Sequence, residues 1–195
     1  VGSEMCIRDS IKGEREFSFP LIFFIHKIPC VADHAVCGRC CNMKKILVLN
    51  GPNLNMTGIR KKDVYGSETL KAINEELKIY GKARGAKISF FQSNHEGDII
   101  DMIQQSREEY DGVVINAGAY THYSYAIRDA IESVQDYLPF VEVHMSDIHN
   151  REDFRKTSVI TEVCRKQICG YGKDSYKMGI DLLLEISVSY THLRA

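Results

Sequence analysis

The side chains that could do chemistry in this chain gather in five short polar stretches, each directly after an apolar run. The first is Asn50-Gly51-Pro52-Asn53-Leu54-Asn55, which opens a long connection carrying Arg60 and Tyr65. Gln92-Ser93-Asn94-His95-Glu96-Gly97 is the second, and Asn116-Ala117-Gly118-Ala119-Tyr120-Thr121-His122 the third. His144-Met145-Ser146 leads into a polar loop with Arg151 and Arg155, and Gly170-Tyr171-Gly172 closes the series. Imidazoles exchange protons near neutral pH, guanidiniums hold anions without losing their charge, and a phenol becomes a base when a cation lowers its pKa. Taken singly, each stretch has a plainer meaning. Asn-Gly-Pro-Asn is an ordinary turn, and one Tyr or His after a strand is usually packing. Only convergence on one place makes a site of them.

The intervening elements decide whether they converge. Ile46-Leu47-Val48-Leu49, Ile88-Ser89-Phe90-Phe91, Val113-Val114-Ile115 and Phe140-Val141-Glu142-Val143 read as strands, with Gln167-Ile168-Cys169 a weaker fifth. Helical stripes lie between them: Leu70, Ile73, Leu77 and Tyr80, with Ser67 as N-cap; Ile99, Ile100 and Ile103; Ala126, Ile127, Ala130, Ile131 and Val134; and Tyr176, Ile180, Leu183 and Leu184. Five strand–helix alternations predict an α/β fold, a parallel sheet with helices on both faces. Right-handed crossovers favour the flavodoxin-like order 2-1-3-4-5. In such a sheet ligands bind outside the carboxyl ends of the strands, which is the edge where all five polar stretches fall. The first connection runs from 50 to about 67, long against the ~2–6 residues usual there, and loops of that length are often functional lids.

Composition narrows the classes further. The 195 residues are 44% hydrophobic and 26% charged, which fits one globular domain and excludes wholesale disorder. A net charge of −1 gives no field for nucleic acid or an anionic membrane, so an anionic ligand must be held by local Arg, His and backbone N–H groups. No apolar run reaches the ~18 residues that span a bilayer. Residues 17–25 come nearest and contain Pro20, so the chain is expected in the cytoplasm, with no membrane or nucleic-acid partner. Of seven cysteines, five (Cys6, Cys30, Cys37, Cys40, Cys41) precede Met43, and only Cys164 and Cys169 follow, which predicts reduced thiols. Cys37 and Cys40, near Cys30, His34 and Cys41, have zinc-ligand spacing, but one pair without a second is weak, and neither metal nor cofactor is expected. The α/β pattern starts at Met43, giving a domain over 43–186 and an unassigned extension over 1–42. Residues 1–10 and 187–195 resemble translated sequencing-adapter sequence more than protein.

Six blocks, in order, carry a family resemblance. They are Asn50-Gly51-Pro52-Asn53-Leu54-Asn55 with Gly58-x-Arg60 and Tyr65-Gly66; Gln92-Ser93-Asn94-x-Glu96-Gly97; and Asn116-Ala117-Gly118-Ala119-x-Thr121-His122. Arg128-Asp129-Ala130, Glu142-Val143-His144-x-Ser146 and Arg151-Glu152-x-Phe154-Arg155 complete the set. Over residues 44–185 the chain resembles the type II 3-dehydroquinate dehydratases. The resemblance implies a metal-free and cofactor-free lyase that converts 3-dehydroquinate to 3-dehydroshikimate by trans elimination through an enolate. Such an enzyme serves the shikimate pathway to aromatic amino acids or quinate breakdown. It implies that Tyr65 removes the proton at carbon 2, that Arg60 activates Tyr65, and that Asn53 holds a water against the enolate oxygen. His144, oriented by Glu142, would protonate the hydroxyl leaving carbon 1. Asn116, His122, Met145, Ser146 and Arg155 would bind the substrate hydroxyls and carboxylate, and Asp129 would reach a neighbouring subunit's site. Trimers assembled into dodecamers are the implied homo-oligomer.

Elementary electrostatics agrees with the tyrosine role. A free phenol has a pKa of ~10, and a guanidinium ~4 Å away contributes about 4 kcal/mol at an effective dielectric of 20, roughly three pKa units before desolvation opposes it. The chain departs from the family at Lys61-Lys62, where Glu-Pro is common, at Asp147, where Asn is common, and at Tyr123 and Tyr125. None of these removes a catalytic group. A flavin carrier would need a Ser/Thr/Gly-rich phosphate loop where Asn50 to Asn55 stands, and a phospho-acceptor module an Asp where Asn116 stands. A scaffold descended from a dead enzyme finds no support, because every catalytic group is present.

Overall fold

Val48, Val113, Val114, Ile115 and Val141 are wholly inaccessible, as strands covered on both faces by helices must be. The computed structural model describes residues 43–59 and 68–192. Strands β1 (Lys44–Asn50), β2 (Ala86–Gln92), β3 (Gly112–Asn116), β4 (Phe140–His144) and β5 (Lys166–Cys169) form one sheet. Its order is β2-β1-β3-β4-β5 and every pairing is parallel, as expected from the sequence. Helices α1 (Leu70–Ala83), α2 (Glu96–Glu109), α3 (Tyr125–Val134) and α4 (Asp174–His192) make the crossovers and the closing layer.

The alternation along β1 sorts the helices onto two faces. Ile46 and Val48 join a cluster with Leu70, Ile73 and Leu77 of α1 and Tyr176, Ile180 and Leu183 of α4. Leu47 and Leu49 point the other way, to Ile99 and Ile103 of α2 and Ile127, Ile131 and Val134 of α3. Each such side chain, fully buried, contributes roughly 1.5–3 kcal/mol, so these stripes fix which way each helix faces. Two details of the sequence reading change. The cap of α1 is Thr69, whose side chain accepts from the Ala72 N–H, rather than Ser67, which lies outside the described residues. Ala126 sits on the solvent side of α3, because Ser124 caps that helix at Ile127 and sets the phase of the stripe.

The register brings the carboxyl ends of the strands level. Asn50 stands opposite both Gln92 and Asn116, and His144 opposite Cys169. The Gly51 N–H donates to the Asn116 carbonyl at 2.8 Å and the Ser93 N–H to the Asn50 carbonyl at 3.1 Å, so pairing continues past the strand ends. There the loops after β1 and β3 press together. A Cβ on Gly51 would lie 2.3 Å from the Ala117 oxygen, which only glycine avoids. Gly118 sits in the left-handed region at φ 59°, and a Cβ there would stand 3.1 Å from the Pro52 oxygen.

Among the described residues no helix is long and apolar enough to cross a membrane. Cys164 and Cys169 are free thiols, while the five earlier cysteines lie outside the described residues.

Candidate active site

A carboxylate buried in the middle of a sheet costs several kcal/mol unless it is paired and hydrogen-bonded. Glu142, on β4, has no exposed surface and meets both conditions. Its Oε1 faces His144 Nε2 at 2.7 Å and accepts from the Thr121 hydroxyl at 2.5 Å and the Ser158 hydroxyl at 2.8 Å. Its Oε2 accepts from the Thr161 hydroxyl at 2.5 Å and Gln167 Nε2 at 3.0 Å. Burial acts most strongly on this carboxyl and raises its pKa. The hydrogen bond and charge of His144, with the Thr121 and Thr161 hydroxyls, outweigh burial and bring the group down to about 2. His144 lies two residues on along the strand, so its side chain leaves the same face. Its Nε2 is committed to Glu142, and Nδ1 has no protein partner among the described residues.

The sign of the pH dependence follows. A carboxyl depressed on folding stabilises the native state above its unfolded value of about 4.5, and that contribution fades as pH falls toward about 2. Urea unfolding at pH 6, 4 and 3 should therefore show a stability loss that Glu142→Gln does not share. Equal slopes in the two proteins would show that Glu142 is not the group lost.

Around this pair the loops supply the rest. His122 Nδ1 lies 2.8 Å from the Thr157 carbonyl, an acceptor only, so Nδ1 carries the proton. Burial chiefly, and then the neighbouring His144 and Arg155 against the opposing Thr157 bond, hold the His122 pKa below its ordinary value. The neutral ring therefore presents an Nε2 lone pair. The loop carrying Asn53 is pinned by Asn94, whose Oδ1 accepts from the Asn53 N–H at 2.9 Å, while the Tyr120 hydroxyl donates to the Asn94 carbonyl. Asn53 itself takes the left-handed conformation at φ 65°, which asparagine tolerates better than most residues. Arg151 donates to the Ser146 hydroxyl at 3.3 Å. Arg151 and Arg155 both approach Glu152, at 3.6 and 3.2 Å, so this one acid stands between the two guanidiniums. Behind Asn116 lies a buried relay. Asn116 Nδ2 donates to the Tyr176 hydroxyl at 2.8 Å, and that hydroxyl donates to Asn50 Oδ1 at 2.7 Å. Burial pushes the Tyr176 phenol well above the ordinary range, so it stays protonated and keeps donating.

These groups border a cavity of about 190 Å³ at the carboxyl edge of the sheet. Of the residues singled out from the sequence, Asn53, Asn116, His122, His144, Met145, Ser146 and Arg155 line it, and Glu142 stands directly behind His144. Asp129 does not join them: it lies exposed on α3, beside Arg128. Arg60 and Tyr65 lie outside the described residues. The sequence placed Arg151 in the polar loop after His144 but gave it no role, and it lines the cavity; it likewise gave no role to Thr121, Ser158, Thr161 and Gln167, the four polar side chains around Glu142 that are not histidine. One group of metal-type ligands occurs among the described residues, Asp147, His149 and Cys169. Both Asp147 oxygens already serve its own turn, accepting from the His149 N–H and Asn150 Nδ2, and we read it as a cap.

A buried acid–imidazole pair opening on an arginine- and asparagine-lined cleft suits proton transfer to a small anionic hydroxy acid. The sequence profile of the family described as Dehydroquinase class II matches residues 44–184, a span that includes every residue of this cleft. The chain belongs to that family. The 3-dehydroquinate dehydratase of Clostridium beijerinckii is 54% identical over 140 residues, covering 71% of this chain and 94% of that protein. Its counterpart in Bacillus cereus is 50% identical over 143 residues, covering 73% and 97%. Among solved structures, the type II dehydroquinase of Butyrivibrio crossotus superposes with a TM-score of 0.70 at 50% identity, covering 72% of this chain and 97% of that one. Membership accounts for the six sequence blocks, and the fold of the family is the one described above.

Proposed function

We propose that the chain is a hydro-lyase that dehydrates 3-dehydroquinate to 3-dehydroshikimate. The observation that carries this reading is the Glu142–His144 pair, enclosed in the protein, with His144 bordering a cleft whose other walls carry Asn53, Asn116, His122, Ser146, Arg151 and Arg155.

Elimination from a β-hydroxy ketone needs a base at carbon 2, stabilisation of the enolate, and an acid at the departing hydroxyl. In this proposal Tyr65, made acidic by Arg60, takes the carbon-2 proton. Asn53 holds a water that donates to the enolate oxygen. His144 then gives its proton to the carbon-1 hydroxyl, which leaves as water while the carbon–carbon double bond forms. Glu142 keeps the imidazole oriented and offsets its positive charge. The Nε2 lone pair of His122 and the Asn116 side chain engage ring hydroxyls, and Ser146 with the backbone at Met145 engages the carboxylate. Arg155 supplies charge to that carboxylate, and we add Arg151 to it. Residues 43–186 carry the whole activity in this reading, with 1–42 and 187–195 dispensable. The enzyme acts in the cytoplasm, in aromatic biosynthesis or quinate breakdown. The test is the ultraviolet absorbance of the conjugated enone formed from 3-dehydroquinate by the purified protein. Absence of that signal with folded protein would end the proposal.

We also propose that trimers assemble into a dodecamer and that Asp129 serves the neighbouring site. Its exposure, away from its own cleft, supports this. Light scattering should then report a particle many times the 22.2 kDa chain. Asp129→Ala and His144→Ala, each impaired alone, should regain part of the activity when refolded together, since mixed assemblies contain intact composite sites. No recovery on mixing would place Asp129 outside catalysis.

A further inference from the structure

We propose that Thr161 and Gln167 are positioning residues for the acid His144, acting through Glu142. The inference rests on the dehydration reading for its kinetic consequence but not for its geometry.

A carboxylate has two oxygens and can rotate about its terminal bond. If Oε2 had no donors, Glu142 would be free to turn and present either oxygen, or a shared geometry, to the imidazole. Thr161 and Gln167 remove that freedom. Both donate to Oε2, and Gln167 Nε2 also donates to Thr161 Oγ1 at 2.8 Å, so the two donors hold each other as well as the acid. Oε1 is thereby left for His144, Thr121 and Ser158. The donors come from separate elements. Gln167 lies on β5, while Ser158 and Thr161 lie on the segment 157–161. That segment reaches across to the loop after β3 as well: the Val159 N–H donates to the Thr121 carbonyl at 2.8 Å, and the Thr157 carbonyl receives His122 Nδ1. One short stretch thus bears on the nitrogen of each imidazole that faces away from the cleft. His122 is set by a carbonyl, and His144 is set by a carboxylate whose rotation the same stretch blocks.

The proposal separates shape from donor. Thr161→Val keeps the volume and loses the hydroxyl, Thr161→Ser keeps the hydroxyl, and Gln167→Met keeps the length and loses the amide. Two measurements are made on each. In the first, kcat and KM with 3-dehydroquinate are compared: Thr161→Val and Gln167→Met should lower kcat about tenfold while KM stays within a factor of about two, and Thr161→Ser should restore kcat. In the second, nitrogen-15 spectra of the histidine rings, with the His144 signal assigned from His144→Ala, should show a hydrogen-bonded Nε2–H in the parent protein and in Thr161→Ser. That signature should be weakened in Thr161→Val and in Gln167→Met. An unaltered His144 signal in both variants would overturn the inference, and so would normal kcat in both where the parent is active. An inactive parent protein would instead defeat the dehydration reading, with the ring spectra still deciding whether Thr161 and Gln167 hold the pair.

Discussion

Turnover of 3-dehydroquinate by Tyr65→Phe is expected to fall by roughly 10²–10⁴, the ordinary worth of a positioned base. The ring is kept and only the proton acceptor goes, so KM should move little. Arg60→Ala should also be severe, because the phenol would return toward its ordinary pKa and the enolate would lose a cation. Arg60→Lys should recover part of the rate at most, having a charge but no planar fork. If the two residues serve one step, the double variant should be scarcely slower than Tyr65→Phe alone, since groups that act as a unit do not combine their losses. Multiplying losses would move Arg60 to substrate binding. Near-normal turnover in Tyr65→Phe would remove the proposed base.

His144→Ala is expected to lose a comparable factor, but at the second step. The proton at carbon 2 can still leave, and the enolate, unable to expel hydroxide without an acid, returns to the ketone. In deuterium oxide this variant should therefore place deuterium at carbon 2 of 3-dehydroquinate while making almost no enone. Tyr65→Phe should do neither. Exchange in one and not in the other would separate base from acid by position in the sequence of events. If His144→Ala neither exchanges nor eliminates, the two bonds break together and there is no enolate to intercept.

The strands were legible because a strand covered on both sides is an unbroken apolar run, as at Ile46 to Leu49. β5 read weakly for the converse reason: it is a four-residue strand at one of the sheet's two edges and buries only Ile168. The histidines, arginines and asparagines of the cleft were legible because each follows a strand, and the topology does the gathering. The cage around Glu142 was not, because its donors lie 16 to 25 residues from it in sequence and carry no spacing rule. Thr121 stood in the stretch after β3 and Gln167 in the weak fifth strand, and nothing in the spacing showed that either would face Glu142. Tyr176 showed only as part of the α4 stripe; that its hydroxyl joins Asn50 to Asn116 depends on partners 126 and 60 residues away.

That relay has a consequence for the order in which the protein becomes competent during synthesis. Asn50 leaves the ribosome 126 positions ahead of the hydroxyl that will hold it, and Glu142 emerges before Gln167 reaches it from β5. A nascent chain released only as far as β4 already owns both imidazoles, yet Oε2 of Glu142 lacks both its donors, Thr161 and Gln167, Oε1 lacks Ser158, and two asparagines face an empty place. Closing loops of that length is slow and carries no reward until β5 and α4 dock. The cleft is accordingly among the last parts to mature. A stalled or truncated chain ending before Tyr176 would carry His144 without the hydroxyl that joins Asn50 to Asn116, so on the proposed roles partial products should be unable to bind and sequester 3-dehydroquinate.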